Sequence, residues 1–195
     1  TALEQGASTT PAAPRLFAPH LAFRQSRSGR ADFTFELPQA QDGVGVEVLD
    51  ASGTAIRTFH LRARAGLNRV PWDLRYEAAP QVVLRTVAPD NPYIFADPRF
   101  AGKSTRPVLH WGIATPVRTG PIASPGKYYV RLTASGKSWT QPFEVIRDPD
   151  MPSPTADLVA STQTQLRIRN DMTEAVNMIN HIESMRKAIA DERGA

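Results

Sequence analysis

Apolar residues alternate with small or polar residues in several short stretches of this chain. Phe33, Phe35 and Leu37 form one such stretch, and a second one follows at Val44, Val46 and Val48. A period of two places alternate side chains on one face of a β-strand, so both stretches are predicted as half-buried strands. The same reasoning predicts further strands over residues 56–61, 66–74, 128–132 and 139–145.

Turn signals separate these strands. The tripeptide Ala-Ser-Gly occurs twice, at residues 51–53 and 134–136, each time between two predicted strands. Its glycine supplies the positive φ that a tight hairpin requires. Pro71 cannot donate to a ladder, so we expect its strand to lie at a sheet edge or to carry a bulge. The fold class is therefore predicted as mainly β: an antiparallel immunoglobulin-like β-sandwich.

Four segments make up the predicted organisation. Residues 1–19 are rich in Ala, Thr and Pro and are predicted as a linker that docks at residues 15–18. The sandwich is placed over residues 20–148. Within it, residues 77–125 are predicted as a long proline-rich loop insertion, and such a loop in a compact domain usually has a function or is mobile. A C-terminal helical tail follows.

The tail is predicted over residues 153–192, either as one helix or as a helical hairpin broken near Asn170 and Asp171. Ser153 followed by Pro154 is a helix start signal. As one helix the tail would be ~55 Å long, more than a small sandwich covers, so its apolar face is expected to contact a protein partner or a second copy. Packing on the chain's own sandwich is the alternative. The interface residues are predicted as Met172, Val176, Ile179, Ile182, Met185 and Ile189.

Composition excludes several classes of chemistry. The chain has no cysteine, so it forms no disulfide and no thiolate metal site. Its 23 Lys and Arg exceed 19 Asp and Glu by only four, and the arginines are spread along the strand segments, so nucleic-acid binding is not expected. The four histidines lack zinc spacing, so no metal or cofactor is expected. No apolar run reaches the ~20 residues of a transmembrane segment.

No catalytic motif is found. The sequence contains no nucleophile elbow, phosphate loop or dinucleotide fingerprint, and no motif fixes the separation of two carboxylates. We therefore expect no enzyme activity and assign no catalytic residue. Trp72 is interpreted as a core residue and Asp73 as the acceptor that ties down the following turn.

Binding residues concentrate on loops mounted on a rigid scaffold, so the long loop holds the candidate ligand site. An aromatic side chain beside charged groups suits a sugar ring. In the alternative interpretation, the aromatic residues of the loop only fix it to the sheet. The candidate binding residues are Tyr93, Asp97, Arg99, His110 and Trp111.

Five motifs carry a resemblance to a known family. In chain order they are Phe17–Pro19, Val46–Gly53, Gly66–Tyr76, Pro125–Leu132 and Gln141–Val145, followed by an Asp-Leu helix start. Together they resemble the C-terminal region of large bacterial exported proteins whose N-terminal part is a sialidase-like or sortilin-like BNR-repeat β-propeller, often labelled glycosyl hydrolase. The resemblance covers nearly the whole chain after Pro14. The sandwich part is also similar to the immunoglobulin-like module of the flagellar hook-capping family.

The resemblance implies a secreted or periplasmic accessory domain that packs beside a propeller or mediates assembly. It carries no catalytic residue to this chain, because any glycosidase activity that the family label implies would lie in the propeller, which this sequence lacks. Two other functions stay open: a carbohydrate-binding module acting through the 93–111 loop, and a subunit of an exported or membrane-associated complex held by the helix.

Overall fold

The computed structural model describes residues 5–6, 11–25, 29–87, 93, 96–108 and 119–194. Within them the chain is mainly β-strand and ends in one α-helix. It divides into two compact units, the first comprising Thr1–Glu77 with Gly120–Gln165 and the second Ala78–Thr119 with Leu166–Ala195.

The described elements follow one another in a simple order. They are β1 (Arg15–Leu16), β2 (Ala22–Arg24), β3 (Gly29–Leu37), β4 (Gln41–Leu49), β5 (Ala55–Ala63), β6 (Gly66–Trp72), β7 (Val83–Leu84), β8 (Arg106–Pro107), β9 (Gly126–Ala134), β10 (Lys137–Arg147) and α1 (Thr155–Gly194). The helix runs through Asn170 and Asp171 without a break.

Two hydrogen-bonded ladders form the sheet structure of the first unit. In the smaller ladder, β3 pairs with β6 over residues 31–37 and with β1 at Phe35 and Glu36. The larger ladder has the order β2-β10-β9-β4-β5. Its β2–β10 pair is parallel, and its other pairs are antiparallel. β2 also pairs with the first two residues of β3, which joins the ladders.

The core lies between the inward-facing residues of these strands. The Phe33 ring on β3 lies 5.3 Å from the Phe143 ring on β10, and the Trp72 ring on β6 lies 5.9 Å from that of Tyr128 on β9. Each large apolar side chain that is fully buried stabilises the fold by about 1.5–3 kcal/mol. The alternating positions predicted as inward are confirmed, with at most 1% exposure, at Phe33, Phe35, Leu37, Val44, Val46 and Val48.

Both predicted hairpin turns are confirmed. The first joins β4 to β5 and the second joins β9 to β10, with positive φ at Gly53 (85°) and Gly136 (72°). Asp50 closes the first turn, because its carboxylate accepts the backbone N–H groups of Ser52 (2.9 Å) and Thr54 (3.0 Å). The edge position predicted for Pro71 is also confirmed, since β6 pairs only with β3 among the described strands.

A tight turn follows β6 and holds Trp72 in the core. Trp72 is fully buried, and its Nε1 donates to the carbonyl of Arg75 at 2.8 Å. The Asp73 carboxylate accepts the Arg75 N–H at 3.2 Å, and Leu74 adopts a positive φ of 55° between them. The core interpretation of Trp72 and the turn interpretation of Asp73 are therefore confirmed.

Two short strands near the N-terminal end of the first unit escape prediction. The segment predicted as a linker ends in β1, and the burial of Leu16 and Phe17 agrees with the predicted docking point. β2 has three residues, too few to show a period. Its Arg24 is only 2% exposed, and Nη1 donates to the carbonyls of Ala123 (3.0 Å) and Leu158 (3.2 Å) and to Thr162 Oγ1 (2.9 Å). Burial lowers the pKa of this guanidinium.

Gly120 allows the chain to pass close to the turn after β6. A Cβ added at this position would lie 1.8 Å from the carbonyl oxygen of Tyr76, whose N–H donates to Pro121. Because backbone cannot move aside cheaply, we expect Gly120→Ala to lower the free energy of unfolding by about 2–4 kcal/mol in urea denaturation. The matched control is Gly45→Ala, whose Cβ would meet Thr133 at 3.7 Å, an ordinary contact. Equal effects of the two substitutions would contradict the conclusion that the backbone passes too close to Gly120 for a side chain there.

Candidate interaction surface

One face of α1 is fixed to a neighbouring segment of the second unit by polar side chains. Asn180 Nδ2 donates to the carbonyl of Gln81 at 2.9 Å, and its Oδ1 accepts the Val83 N–H at 2.7 Å. Glu183 accepts the N–H groups of Arg85 (2.8 Å) and Thr86 (3.0 Å) on Oε2. These bonds occupy backbone groups that would otherwise need water, so they fix the segment to the helix.

Glu183 is a buried carboxylate at the centre of this docked face. It is 4% exposed, and Oε1 also accepts the Thr86 hydroxyl (3.0 Å) and Nη1 of Arg186 (2.8 Å). Burial would raise the pKa of Glu183, but the N–H groups of Arg85 and Thr86, the Thr86 hydroxyl and the charge of Arg186 together lower the pKa. The ionised form is therefore the one that the folded chain stabilises.

We expect Glu183→Gln to weaken this attachment, because one accepting oxygen becomes an NH₂ group that faces donors. The amides of Arg85 and Thr86 should exchange about tenfold faster in hydrogen-exchange measurements.

The attachment should also depend on pH. A carboxyl with a lowered folded pKa stabilises the fold above its unfolded pKa, near 4.5, and this contribution is lost as the pH falls through the folded pKa. The wild-type chain should lose this protection in acid, whereas the variant should show no such loss. Equal exchange in both chains at pH 7 would refute the assignment.

A second face of α1 carries exposed apolar side chains, here called the apolar stripe. Its members range from 39% to 66% exposed. At 3.6 residues per turn, the centre of the stripe lies roughly 130° around the helix from the docked face. An exposed contiguous apolar surface of this kind marks an interaction site more often than a scattered one does. The stripe consists of Ile168, Met172, Met178, Ile179, Ile182, Met185 and Ile189.

The spacing within the stripe is that of a helix–helix seam. From residue 168 to residue 189, positions alternate in steps of four and three, the period of side chains that face a partner helix. Ile or Met occupies five of these seven positions, and the other two are Ala175 and Arg186. The Arg186 guanidinium forms an ion pair with Glu183 at 2.8 Å. The stripe therefore has the form of one half of a helical pair.

Five of the six predicted interface residues are exposed members of the apolar stripe. Met172, Ile179, Ile182, Met185 and Ile189 lie on the apolar stripe. Val176 is half-buried and lies towards the docked face, about 90° around the helix from the centre of the seam, and its role in an interface stays a prediction. Ile168 was not among the predicted residues, although the four-three spacing in the sequence indicates it.

Three of the candidate residues of the long loop, Tyr93, Asp97 and Arg99, lie in the described residues. Asp97 and Arg99 bind each other at 2.7 Å, and the hydrogen bonds from Arg99 lower the pKa of Asp97 to about 2. Tyr93 is 69% exposed, and Phe100 of the same loop is buried. His110 and Trp111 lie outside the described residues. The described part of this loop also contains the β7–β8 pair, which sequence reasoning missed because each strand has two residues.

No group of three His, Asp or Glu side chains in the described residues is placed to hold a metal ion. Among the described residues, no helix combines the length and apolar character needed to cross a membrane. No protein-family model matches the chain, and no curated protein matches its sequence.

Proposed function

We propose that this chain is a non-catalytic accessory module, an immunoglobulin-like β-sandwich of an exported propeller protein, which mediates assembly through the apolar stripe of α1. The two ladders and their ring contacts support the sandwich, and the resemblance supports the exported context. The observation that carries the assembly function is the exposure of seven Ile and Met side chains on a helix whose other face is already docked.

The occupant of the stripe is a second copy of this chain. Burying an Ile or Met side chain completely contributes about 1.5–3 kcal/mol, so completing the burial of these half-exposed residues contributes roughly 1 kcal/mol each. Two facing stripes thus contribute at most roughly 14 kcal/mol before costs, since Met178 and Met185 flank the seam rather than lie on it. Association costs about 4–15 kcal/mol. The expected result is a reversible dimer with a dissociation constant in the micromolar range or weaker.

Charge selects an antiparallel dimer. In a parallel pair, Arg186 would face the same arginine of the other copy, and like charges would repel. In the antiparallel register that pairs Ile179 with Ile182, Arg186 faces the small side chain of Ala175. Asp171 lies one turn before Ala175 on the same side of the helix. Its carboxylate therefore lies near the Arg186 guanidinium of the other copy.

Light-scattering mass across a concentration series tests this function on the full chain. The average mass should rise from that of one chain (21.4 kDa) towards twice that value between about 1 µM and 500 µM. Removing the helix is a poorer test, because Leu158 and Thr162 of α1 also bind Arg24 in the first unit. A mass of one chain at every concentration would exclude the second copy as the occupant.

A further inference from the structure

The first unit carries an arginine-lined groove that the assembly function does not use. It encloses about 720 Å³ on the outer face of the β3–β6 pair. Residues 17–21 form one wall, which is attached to β3 where the Phe17 N–H donates to the Thr34 carbonyl at 3.0 Å. A volume of this size is typical of ligand sites. We refer to this feature as the arginine groove.

Two guanidinium groups in the groove are positioned by one carboxylate. Asp32 Oδ1 accepts from Nε (3.0 Å) and Nη2 (2.8 Å) of Arg30, and its Oδ2 accepts from Nη2 of Arg69 at 2.5 Å. Arg30 precedes Asp32 by two residues on β3, and Arg69 lies opposite Thr34 on β6, so the sheet brings all three to one face. The trio carries a net charge of +1, and each guanidinium keeps further N–H donors for another anion.

Two further arginines, Arg62 and Arg64, also line the groove. Arg62 is paired with Asp42, and the Arg64 side chain forms no hydrogen bond or ion pair in the part of the chain that the structure describes. The side chains of Arg30 and Arg69 are 60% and 62% exposed, so an incoming anion reaches them without displacing protein groups. A guanidinium already held in place loses less conformational entropy when it binds a carboxylate.

Apolar side chains decide which class of anion fits. Leu21 and Leu67 line the groove and are 47% and 50% exposed, whereas Phe17 is 2% exposed. The exposed His20 also lines the groove. The buried Phe17 ring offers no face on which a sugar or a nucleobase can stack. A peptide that combines carboxylates with aliphatic side chains matches both the charges and the apolar walls.

We propose that the arginine groove binds an extended acidic peptide segment of a partner protein, whose carboxylates pair with Arg30 and Arg69 and whose aliphatic side chains contact Leu21 and Leu67. The observation that carries this site is the pair of guanidiniums held on a single carboxylate above an apolar wall. The site belongs to the first unit and does not depend on the apolar stripe.

The test uses fluorescence anisotropy with the full chain and a labelled nine-residue peptide that has Glu at every third position and Leu and Ala between. The labelled control peptide has Gln in place of Glu. At about 50 mM NaCl we expect saturable binding of the Glu peptide and about tenfold weaker binding of the Gln peptide. Arg30→Gln with Arg69→Gln should weaken the Glu peptide about tenfold or more, and Arg69→Lys should weaken it less.

The matched control is Lys137→Gln with Arg193→Gln, which removes the same charge from exposed positions outside the groove. This control should change the affinity less than about twofold, because neither side chain lines the groove and salt screens exposed charges. Unchanged melting temperatures verify that all variants are folded. Equal binding of the Gln peptide, or equal weakening by the control variant, would overturn the proposal. So would binding of a sulfated oligosaccharide or single-stranded DNA with no binding of the Glu peptide.

Discussion

The double variant Ile179→Asp, Ile182→Asp is expected to stay monomeric at concentrations at which the wild-type chain is a dimer. These two residues face each other across the proposed antiparallel seam, so the substitution buries four carboxylates near the two-fold axis. A charge placed in an apolar interface costs several kcal/mol unless it is paired. The dissociation constant should therefore rise by at least about 100-fold. Sedimentation equilibrium or light scattering measures the change.

Both positions are exposed in the single chain, so the fold itself should tolerate aspartate there. The matched control is Asn177→Asp with Ala188→Asp, which adds two negative charges on the solvent side of the same helix. It should dimerise as the wild type does. If the stripe variant and the control associate equally, the stripe is not the interface. If only Val176→Asp disrupts the dimer, the docked face rather than the stripe sets the association.

Arg186 allows a test of whether the two helices of the dimer run parallel or antiparallel. Replacing it with leucine removes the charge that disfavours the parallel pair and adds apolar surface to the seam. We therefore expect Arg186→Leu to tighten association. With spin labels placed at Asn177 and at Ala188, distance measurements on this variant should also show a population of parallel dimers, in which identical positions of the two copies lie close together. In the antiparallel dimer of the wild type, label 177 should lie nearer to the 188 end of the other copy. A wild-type chain with identical positions adjacent would exclude the antiparallel arrangement.

The long strands were predictable because nine-residue elements show their period. β3 and β4 alternate over enough residues for the apolar set at Phe33, Phe35 and Val46 to identify the inward face. β1, β2, β7 and β8 have two or three residues each, so they display no period, and only tertiary pairing forms them. The parallel β2–β10 pair depends on a neighbour more than 120 residues away, which local pattern cannot reveal.

The helix was predictable as an element, but its docked face was not. Sequence reasoning assigns the contact to apolar residues, whereas Asn180 and Glu183 make it through backbone N–H groups of residues 83–86. An acidic residue on a helix ordinarily indicates a solvated position, because an unpaired charge is costly to bury. Nothing in the local sequence shows that the β7 segment supplies donors. The same polar docking explains why the apolar stripe is left exposed.

The other large effect is expected in the first unit, where Arg24 anchors the start of α1. Its guanidinium bonds the carbonyls of Ala123 and Leu158 and the hydroxyl of Thr162. Hydrogen bonds to a charged group contribute about 1.5–3 kcal/mol, and truncation to alanine adds a cavity. We expect Arg24→Ala to lower the free energy of unfolding by about 3–5 kcal/mol in urea denaturation. Amides in the first turns of α1 should also lose protection from hydrogen exchange.

Arg24→Met separates the loss of hydrogen bonds from the loss of packing, because methionine fills much of the space of the arginine side chain and donates no hydrogen bond. Its cost is expected to be smaller, about 2 kcal/mol, since removing a buried cation also removes its desolvation penalty. The Nε of Arg24 is buried without a hydrogen-bond partner in the described residues, which makes that penalty appreciable. Arg62→Ala is the control, because its exposed pair with Asp42 contributes at most about 1 kcal/mol. A methionine variant as stable as the wild type would show that packing, rather than the guanidinium, anchors the helix.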